Sequence, residues 1–375
     1  MPKRILIAPN AFKHSFSAIE AAQIIKTSLD SLGLDIACEI TPVADGGDGT
    51  IDILHFYFKK SKFVQCIVHD PLMRKIESKW LLLDKETAVI ELSKASGLSL
   101  LNESELNPLW ANTYGTGELI LSALEKGSKK IIITLGGSAT VDAGLGIFSA
   151  LGVKIYDDKK HKLKPGGGIL HSVSGIDLSS VDKRLKDTKL DVLCDVKSTL
   201  FGKTGTVNFS AQKGAKEGEM FVLENGMKHY AEVVKKITGY EYENEPMMGA
   251  AGGVAYSLKT FLNAELYSGF LYLNNLISLE EKIKNTDLII TGEGNLDSQT
   301  LMGKGVYELS KIAAKHHKDL VVFCGNYDSS INWTKYNVNH VIKLDSDGLS
   351  LAECLKNAKD LLEKAVKANY KLFIK

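Results

Sequence analysis

The stretch TGEGNLDSQTLMGKG, residues 291–305, sets Glu293, Asp297 and Lys304 among glycines directly after the apolar run DLII (287–290). The same texture recurs along the chain. ITPV runs into ADGGDGT (44–50), IIITL into GGSATVDAG (136–144), DVLC into DVKS (195–198) and RILIAP into NAFKHS (10–15). Carboxylates held close together repel, so a cation, a phosphate–metal complex or water must compensate them. Glycine lets backbone amides turn toward an anion. Carboxylates suit magnesium, which takes oxygen ligands and keeps waters and substrate phosphates in its shell, and lysine supplies a point charge for phosphate. Together these parts describe phosphoryl transfer, which asks for positioning and charge neutralisation more than for covalent chemistry. Taken singly, each has a plainer reading. Asp45 and Asp48 fit helix capping and solvated charge, Lys13 and Lys304 fit surface lysines, and Ser138 and Thr140 fit hydroxyls that satisfy nearby backbone groups. Asp195 resists that reading, because an acid at the end of an apolar strand must be solvated, paired or ligated.

These residues need elements to hold them. RILIAP (4–9) reads as a buried strand. Residues 17–33 read as a helix: Ser17 and Glu20 have capping-box spacing, Ala18, Ala22, Ile25, Leu29 and Leu32 share one stripe, and Gly33 ends it. ACEITPV (37–43) supplies the next strand of a βαβ unit with parallel strands. The C-terminal part repeats the theme: DLIIT, a helix over 303–316, LVVFCG (320–325), HVIKL (340–344) and an amphipathic helix over about 349–368. Between them, KFVQCIVHD, KIESKWLLLD and TAVIELS (about 62–92) read as antiparallel strands. A helix near 116–126, the strand KKIIITL (129–135), a helix to Leu151, VKIYD and a helix over 218–238 follow. The expected fold is α/β in two domains: a parallel-sheet domain of residues 1–64 and 284–375, with a mixed α/β domain of residues 65–283 inserted. In open parallel sheets ligands bind beyond the carboxyl ends of strands, where these polar turns fall.

Bulk properties narrow the classes. Lys+Arg 46 against Asp+Glu 45 leaves a net charge of +1, which gives no reason to expect nucleic acid or an anionic membrane as partner. The absence of an apolar run of about 18 residues excludes a transmembrane helix, and MPKRILIAPNAF lacks the features of a secretory signal. Five scattered cysteines with no C-x-x-C pair suit a reducing cytoplasm and no structural zinc site. GKT (202–204) has Lys197 where a P-loop needs glycine, GKG (303–305) has Ser298 there, and GLG (144–146) lacks the third glycine of a dinucleotide fingerprint. GAAGGVAYSL (249–258) fits either close helix packing or backbone approach to a ligand.

The blocks IAPNAFKHSFSAIEAA, PVADGGDGT, NPLWANTYGTGELILSALEKG, GGSATVDAGLGIFSALG, CDV, AQKGA, GAAGGVAYSL and TGEGNLDSQTLMGKG, in this order over nearly the whole chain, resemble the glycerate kinase type 1 family. The resemblance implies ATP- and magnesium-dependent phosphorylation of glycerate, mostly to 2-phosphoglycerate. It also implies a Rossmann/flavodoxin-like domain with a second domain inserted and an active site in the cleft between them. Lys13, Asp45, Asp195, Glu293, Asp297 and Lys304 fall on polar positions of the family's blocks. We assign Asp195 and Asp297 to magnesium or to base catalysis, Asp45 to activation of the glycerate hydroxyl, and Lys13 and Lys304 to charge neutralisation. The amides of Gly136, Gly137, Ser138 and Thr140, and of Gly292, Glu293 and Gly294, would cradle phosphate. Expected partners are glycerate and ATP, with a homodimer left open. The chain departs from the family pattern at Asn10, Ala11, His14, Asp48, Val141, Lys197, Ser198, Thr199 and Asn295. Losing an acid at 10 and an arginine at 295 changes the charge of the implied site, and asparagine does not bind carboxylate bidentately. A kinase for a related small hydroxy acid, or a non-catalytic ligand-binding homologue, is therefore the alternative.

Overall fold

The computed structural model describes residues 2–202, 205–303, 305–344 and 348–374. Lys304 lies outside the described residues. The chain divides into two compact units, Met1–Asp45 with Gly269–Lys375, and Gly46–Ser268.

The first unit is built on five parallel strands, ordered His340–Lys343, Asp319–Tyr327, Leu288–Leu296, Lys3–Ile7 and Ile36–Ile40. Near-continuous apolar runs make the inner strands, because both faces of a parallel sheet are covered. On one face the helices Ala18–Asp30 and Leu351–Ala368 bury Ala22, Ile25 and Leu29 with Leu362 and Val366 over Ile5, Ile7, Leu288 and Ile290. Each helix opens on a capping box, Ser17 with Glu20 and Ser350 with Glu353, which satisfies amides that a helix start leaves open. Counted along the chain, the unit's strands lie in the order 2-1-3-4-5. That is the flavodoxin-like order, whose switch point falls between its first and third strands.

In the second unit a six-stranded sheet runs Glu265–Tyr267, Lys189–Leu193, Lys130–Thr134, Thr87–Glu91, Lys75–Leu82 and Lys62–His69. The first four are parallel and the last two pair antiparallel. Lys154–Tyr156 and Gly175–Asp177 form a separate antiparallel pair. The helix Tyr114–Glu125 buries Leu119, Ile120 and Ala123 in the main core with Trp80, Ile131 and Ile133. Among the described residues no helix is long and apolar enough to cross a membrane.

Three sequence expectations are corrected. The units part at residues 45/46 and 268/269, not at 64/65 and 283/284. The helix Thr50–Tyr57 belongs with the second unit, because Ile51 donates its amide to Glu91 at 2.8 Å and Asp52 pairs with Lys79 at 2.9 Å. The helices before the Leu288–Leu296 strand belong with the first, where Glu280 holds Lys315 at 2.7 Å and His316 at 2.8 Å. Second, Gly292, Glu293 and Gly294 are strand rather than turn, since pairing continues through Glu293↔Cys324 to Leu296↔Tyr327. Third, Thr87–Glu91 is antiparallel only to Lys75–Leu82 and runs parallel to Lys130–Thr134.

The segment 249–258 is close packing of backbone. Ala251, Gly252 and Gly253 take positive φ inside the Ala250–Leu262 helix, and a Cβ on Gly252 would sit 2.2 Å from the Thr140 carbonyl oxygen. Gly252→Ala is expected to lower unfolding stability by about 1–3 kcal/mol or more, from strained backbone and lost packing. Urea denaturation reads this directly, and a change below about 0.5 kcal/mol, the size of an ordinary surface substitution, would show that the turn relaxes.

Candidate functional site

Each unit gathers polar groups at the carboxyl ends of its parallel strands. In the first unit, Asn10 follows the Lys3–Ile7 strand and donates its backbone amide to the Gly292 carbonyl at 2.9 Å. Its side chain donates to Asp45 Oδ2 at 3.2 Å and accepts from the Ala11 amide at 2.7 Å. The Lys13 backbone lies beside Gly294, and its side chain is exposed. Glu293 is buried and accepts from Thr300 Oγ1 at 2.9 Å. Thr300 Oγ1 also accepts from the Asp297 amide at 3.2 Å. The Asp297 carboxylate accepts from Asn295 Nδ2 at 2.5 Å and from the Gln299 amide at 2.8 Å, so it shapes the turn that follows the strand. Lys13, Asp45, Glu293 and Asp297 therefore gather at the topological switch of this sheet.

In the second unit, Gly136 donates to the Gly46 carbonyl at 3.3 Å, and a Cβ there would meet Gly47 Cα at 2.6 Å. Two of the glycine loops read from the sequence thus lie against each other, at a distance only glycine permits. Gly137, at φ 73°, is exposed, and a Cβ on it would stand 3.0 Å from the Asp48 carboxylate and 3.2 Å from Ser93 Cβ. Ser138 and Thr140 are buried, and Thr140 Oγ1 and Ser93 Oγ find no hydrogen-bond partner among the described residues. Asp195 follows the Lys189–Leu193 strand and accepts from Ser268 Oγ at 2.9 Å. The same sheet edge thus carries Ser93, the Gly136–Thr140 turn, Asp195 and Ser268.

Electrostatics single out residues that sequence reasoning passed over. Burial pushes the Glu91 carboxyl up, against the pull of Lys94. Burial works against the Lys94 ammonium, yet Glu91, Asp52 and Asp48 together hold its pKa above the usual value. Asp142 is fully buried, and desolvation pushes its carboxyl upward while four donors oppose that. It accepts from the Thr113 amide and Oγ1, each at 2.8 Å, and from the Gly144 and Gly146 amides, each at 3.0 Å. It thereby joins the starts of the Tyr114–Glu125 and Leu145–Ala150 helices. Lys213 is also buried, and donates to Ser138 Oγ at 2.9 Å and to the Thr140 carbonyl at 2.8 Å. Lys213 stands in the AQKGA block, but nothing in those five letters signals burial of its ammonium.

Asp195 and Asp297 belong to different units, and among the described residues no three His, Cys, Asp or Glu side chains form a metal-holding group. Magnesium that arrives on nucleotide phosphates needs only one or two protein carboxylates, and both aspartates have the chemistry for that.

Comparisons with known proteins give the family. The pattern of the glycerate kinase family matches residues 5–373. The chain is 38% identical to glycerate 2-kinase of Escherichia coli over 95% of its length and 94% of that protein. It is 35% identical to glycerate kinase of Bacillus subtilis over 97% and 96% of the two chains. A crystal structure from Salmonella typhimurium LT2, provisionally named glycerate kinase 2, superposes with a TM-score of 0.82 at 32% identity over 99% of each chain. The fold and these relatives place the protein among α/β enzymes of the kinase class. It belongs to the glycerate kinase family.

Asp142→Asn removes one acceptor oxygen and turns an NH2 group toward backbone amides. The expected cost is about 2–4 kcal/mol, in line with stranding a buried donor and breaking a charge-assisted network. Equilibrium denaturation checks it, and a loss below about 1 kcal/mol, ordinary for a neutral hydrogen bond, would deny Asp142 this role.

Proposed function

We propose that the protein transfers the terminal phosphoryl group of magnesium-bound ATP to a hydroxyl of glycerate, giving 2-phosphoglycerate. The carrying observation is the similarity over 95% of the chain to a protein named glycerate 2-kinase. The glycine loops and acids at the carboxyl ends of both parallel sheets support it, because such edges suit anionic ligands. In the reaction the glycerate oxygen attacks phosphorus, a new P–O bond forms as the bond to the β-phosphate breaks, and the hydroxyl proton passes to a carboxylate. Asp45 fits that last role, since the Asn10 amide orients its carboxylate without adding a second negative charge. Asp195 or Asp297 would supply a carboxylate oxygen to the magnesium that ATP carries. Lys13 and Lys304 would offset phosphate or substrate charge, and the Gly136–Thr140 turn would receive an anionic group. Gly292, Glu293 and Gly294 contribute the Glu293 carboxylate and the line of the strand more than an amide cradle, because their backbone lies in the ladder. Five free thiols support the cytoplasm as the compartment.

A coupled assay of ADP release should show turnover with glycerate, and phosphorus NMR should place the new ester on carbon 2. Turnover confined to another small hydroxy acid would overturn the substrate, and an ester at carbon 3 would overturn the position. Asp45→Asn and Asp195→Asn, one from each unit, should each lower kcat by about 10²–10⁴, the range for a positioned acid–base or charge-stabilising group. A folded variant with near-normal rate would remove its residue from the mechanism.

A further inference from the structure

Lys213 is 4% exposed, and its ammonium meets two neutral oxygens, Ser138 Oγ at 2.9 Å and the Thr140 carbonyl at 2.8 Å. No carboxylate forms an ion pair with it among the described residues, although Asp142 acts on it at longer range. Burying an ammonium without a counter-ion costs several kcal/mol, and an ammonium carries three protons. The fold retains this unfavourable charge directly under the loop that ends the Lys130–Thr134 strand. Beside it, Thr140 Oγ1 is a buried hydroxyl with no partner among the described residues. The backbone around both is held firmly. Gly214, at φ 92°, packs where a Cβ would lie 2.3 Å from the Leu106 carbonyl, and Gly252 seals the other side of the Thr140 carbonyl. Positive charge and an unused hydroxyl, in a rigid setting and with no carboxylate in direct contact among the described residues, are the makings of an oxyanion site.

We propose that Lys213 is a positioning residue of the phosphoryl-transfer reaction, setting the Gly136–Thr140 loop through Ser138 and the Thr140 carbonyl and lending it the positive charge that draws in an anionic group of a substrate. The proposal rests on the kinase reading above. Two oxyanions share the required chemistry, a nucleotide phosphate and the carboxylate of the hydroxy acid. Desolvation lowers the Lys213 pKa to about 8, and Asp142 opposes that shift. The ammonium is therefore charged at neutral pH and loses its proton within an accessible range.

The test compares wild type with Lys213→Met, using steady-state kinetics in each substrate and calorimetric binding of ATP and of glycerate separately. The expected result is a tenfold or greater rise in KM and Kd for one of the two anions, with the other within twofold. A loss for ATP assigns the phosphate, and a loss for glycerate assigns the carboxylate. Wild-type affinity for that anion should fall as pH rises from 7 through about 8 toward 9.5, where the ammonium deprotonates, and this slope should vanish in Lys213→Met. A folded Lys213→Met protein with both affinities within twofold of wild type overturns the proposal, as does a flat wild-type profile. If Lys213→Met does not fold, Ser138→Ala and the wild-type profile decide. Ser138→Ala removes an oxygen that steers the ammonium and should weaken the same anion threefold or more; no change in either affinity overturns the proposal. Lys213-dependent ATP binding without turnover of glycerate would sink the glycerate reading and leave the role of Lys213 standing.

Discussion

Parallel pairing is the constraint on which the rest depends. Strands hydrogen-bonded in parallel must all end on the same edge, so every segment that follows them starts from one line. In the first unit this brings Asn10 and Lys13, which follow one strand, beside Glu293 and Asp297 at the end of its neighbour. In the second it brings Ser93, the Gly136–Thr140 turn and Asp195 to the ends of three adjacent strands. Groups that follow different strands are far apart in sequence. The apolar ladders, buried on both faces, therefore do the organising, and the polar residues need only follow them.

At those edges the chain accepts features that cost stability. Asp142 is a carboxylate with almost every acceptor position used, and it ties two helix starts together. Lys213 is an ammonium with only neutral oxygens around its head. The first is a closed network that rigidifies, since a buried polar group with all its partners fixes a single geometry. The second is an open one, in which the ammonium meets two neutral oxygens and Asp142 acts on it only at longer range. Both act on the segment that follows Gly136 and Gly137: Lys213 holds Ser138 and the Thr140 carbonyl, and Asp142 lies two residues further on. Further backbone bonds fix the same segment, since the Gly136 amide donates to the Gly46 carbonyl at 3.3 Å and the Ala139 amide to the Ser96 carbonyl at 2.9 Å.

Much of this was legible in the residues themselves. The Ser17–Glu20 capping box, the apolar strands and the alternation of strand and helix at the two ends of the chain follow from short-range rules, and those elements stand where the spacing puts them. Signals of longer range were not legible. Glycines at 292 and 294 look like a turn, but pairing with the Asp319–Tyr327 strand carries them on as sheet. The polar loop ADGGDGT before the helix Thr50–Tyr57 does not say which unit that helix joins, and Ile51 and Asp52, bonded to Glu91 and Lys79, show it. Lys213 and Ser93 are missed for a related reason: a lysine or serine reads the same whether solvated or buried, and burial is decided by elements far away in sequence.

Asn10 and Asn295 show how a change of charge can keep a shape. In the resemblance to the family an acid is expected at 10 and an arginine at 295, yet each asparagine donates its side-chain amide to a carboxylate, Asn10 to Asp45 and Asn295 to Asp297. The Asn10 amide orients the Asp45 carboxylate through a hydrogen bond and brings no charge of its own. The amide at 295 likewise fixes the Asp297 carboxylate by a hydrogen bond, where an arginine would bring a positive charge. Both asparagines therefore orient a carboxylate at the carboxyl end of a parallel strand and bring no charge of their own, so the turns keep their hydrogen-bonded shape where the family pattern's acid and arginine would change their charge.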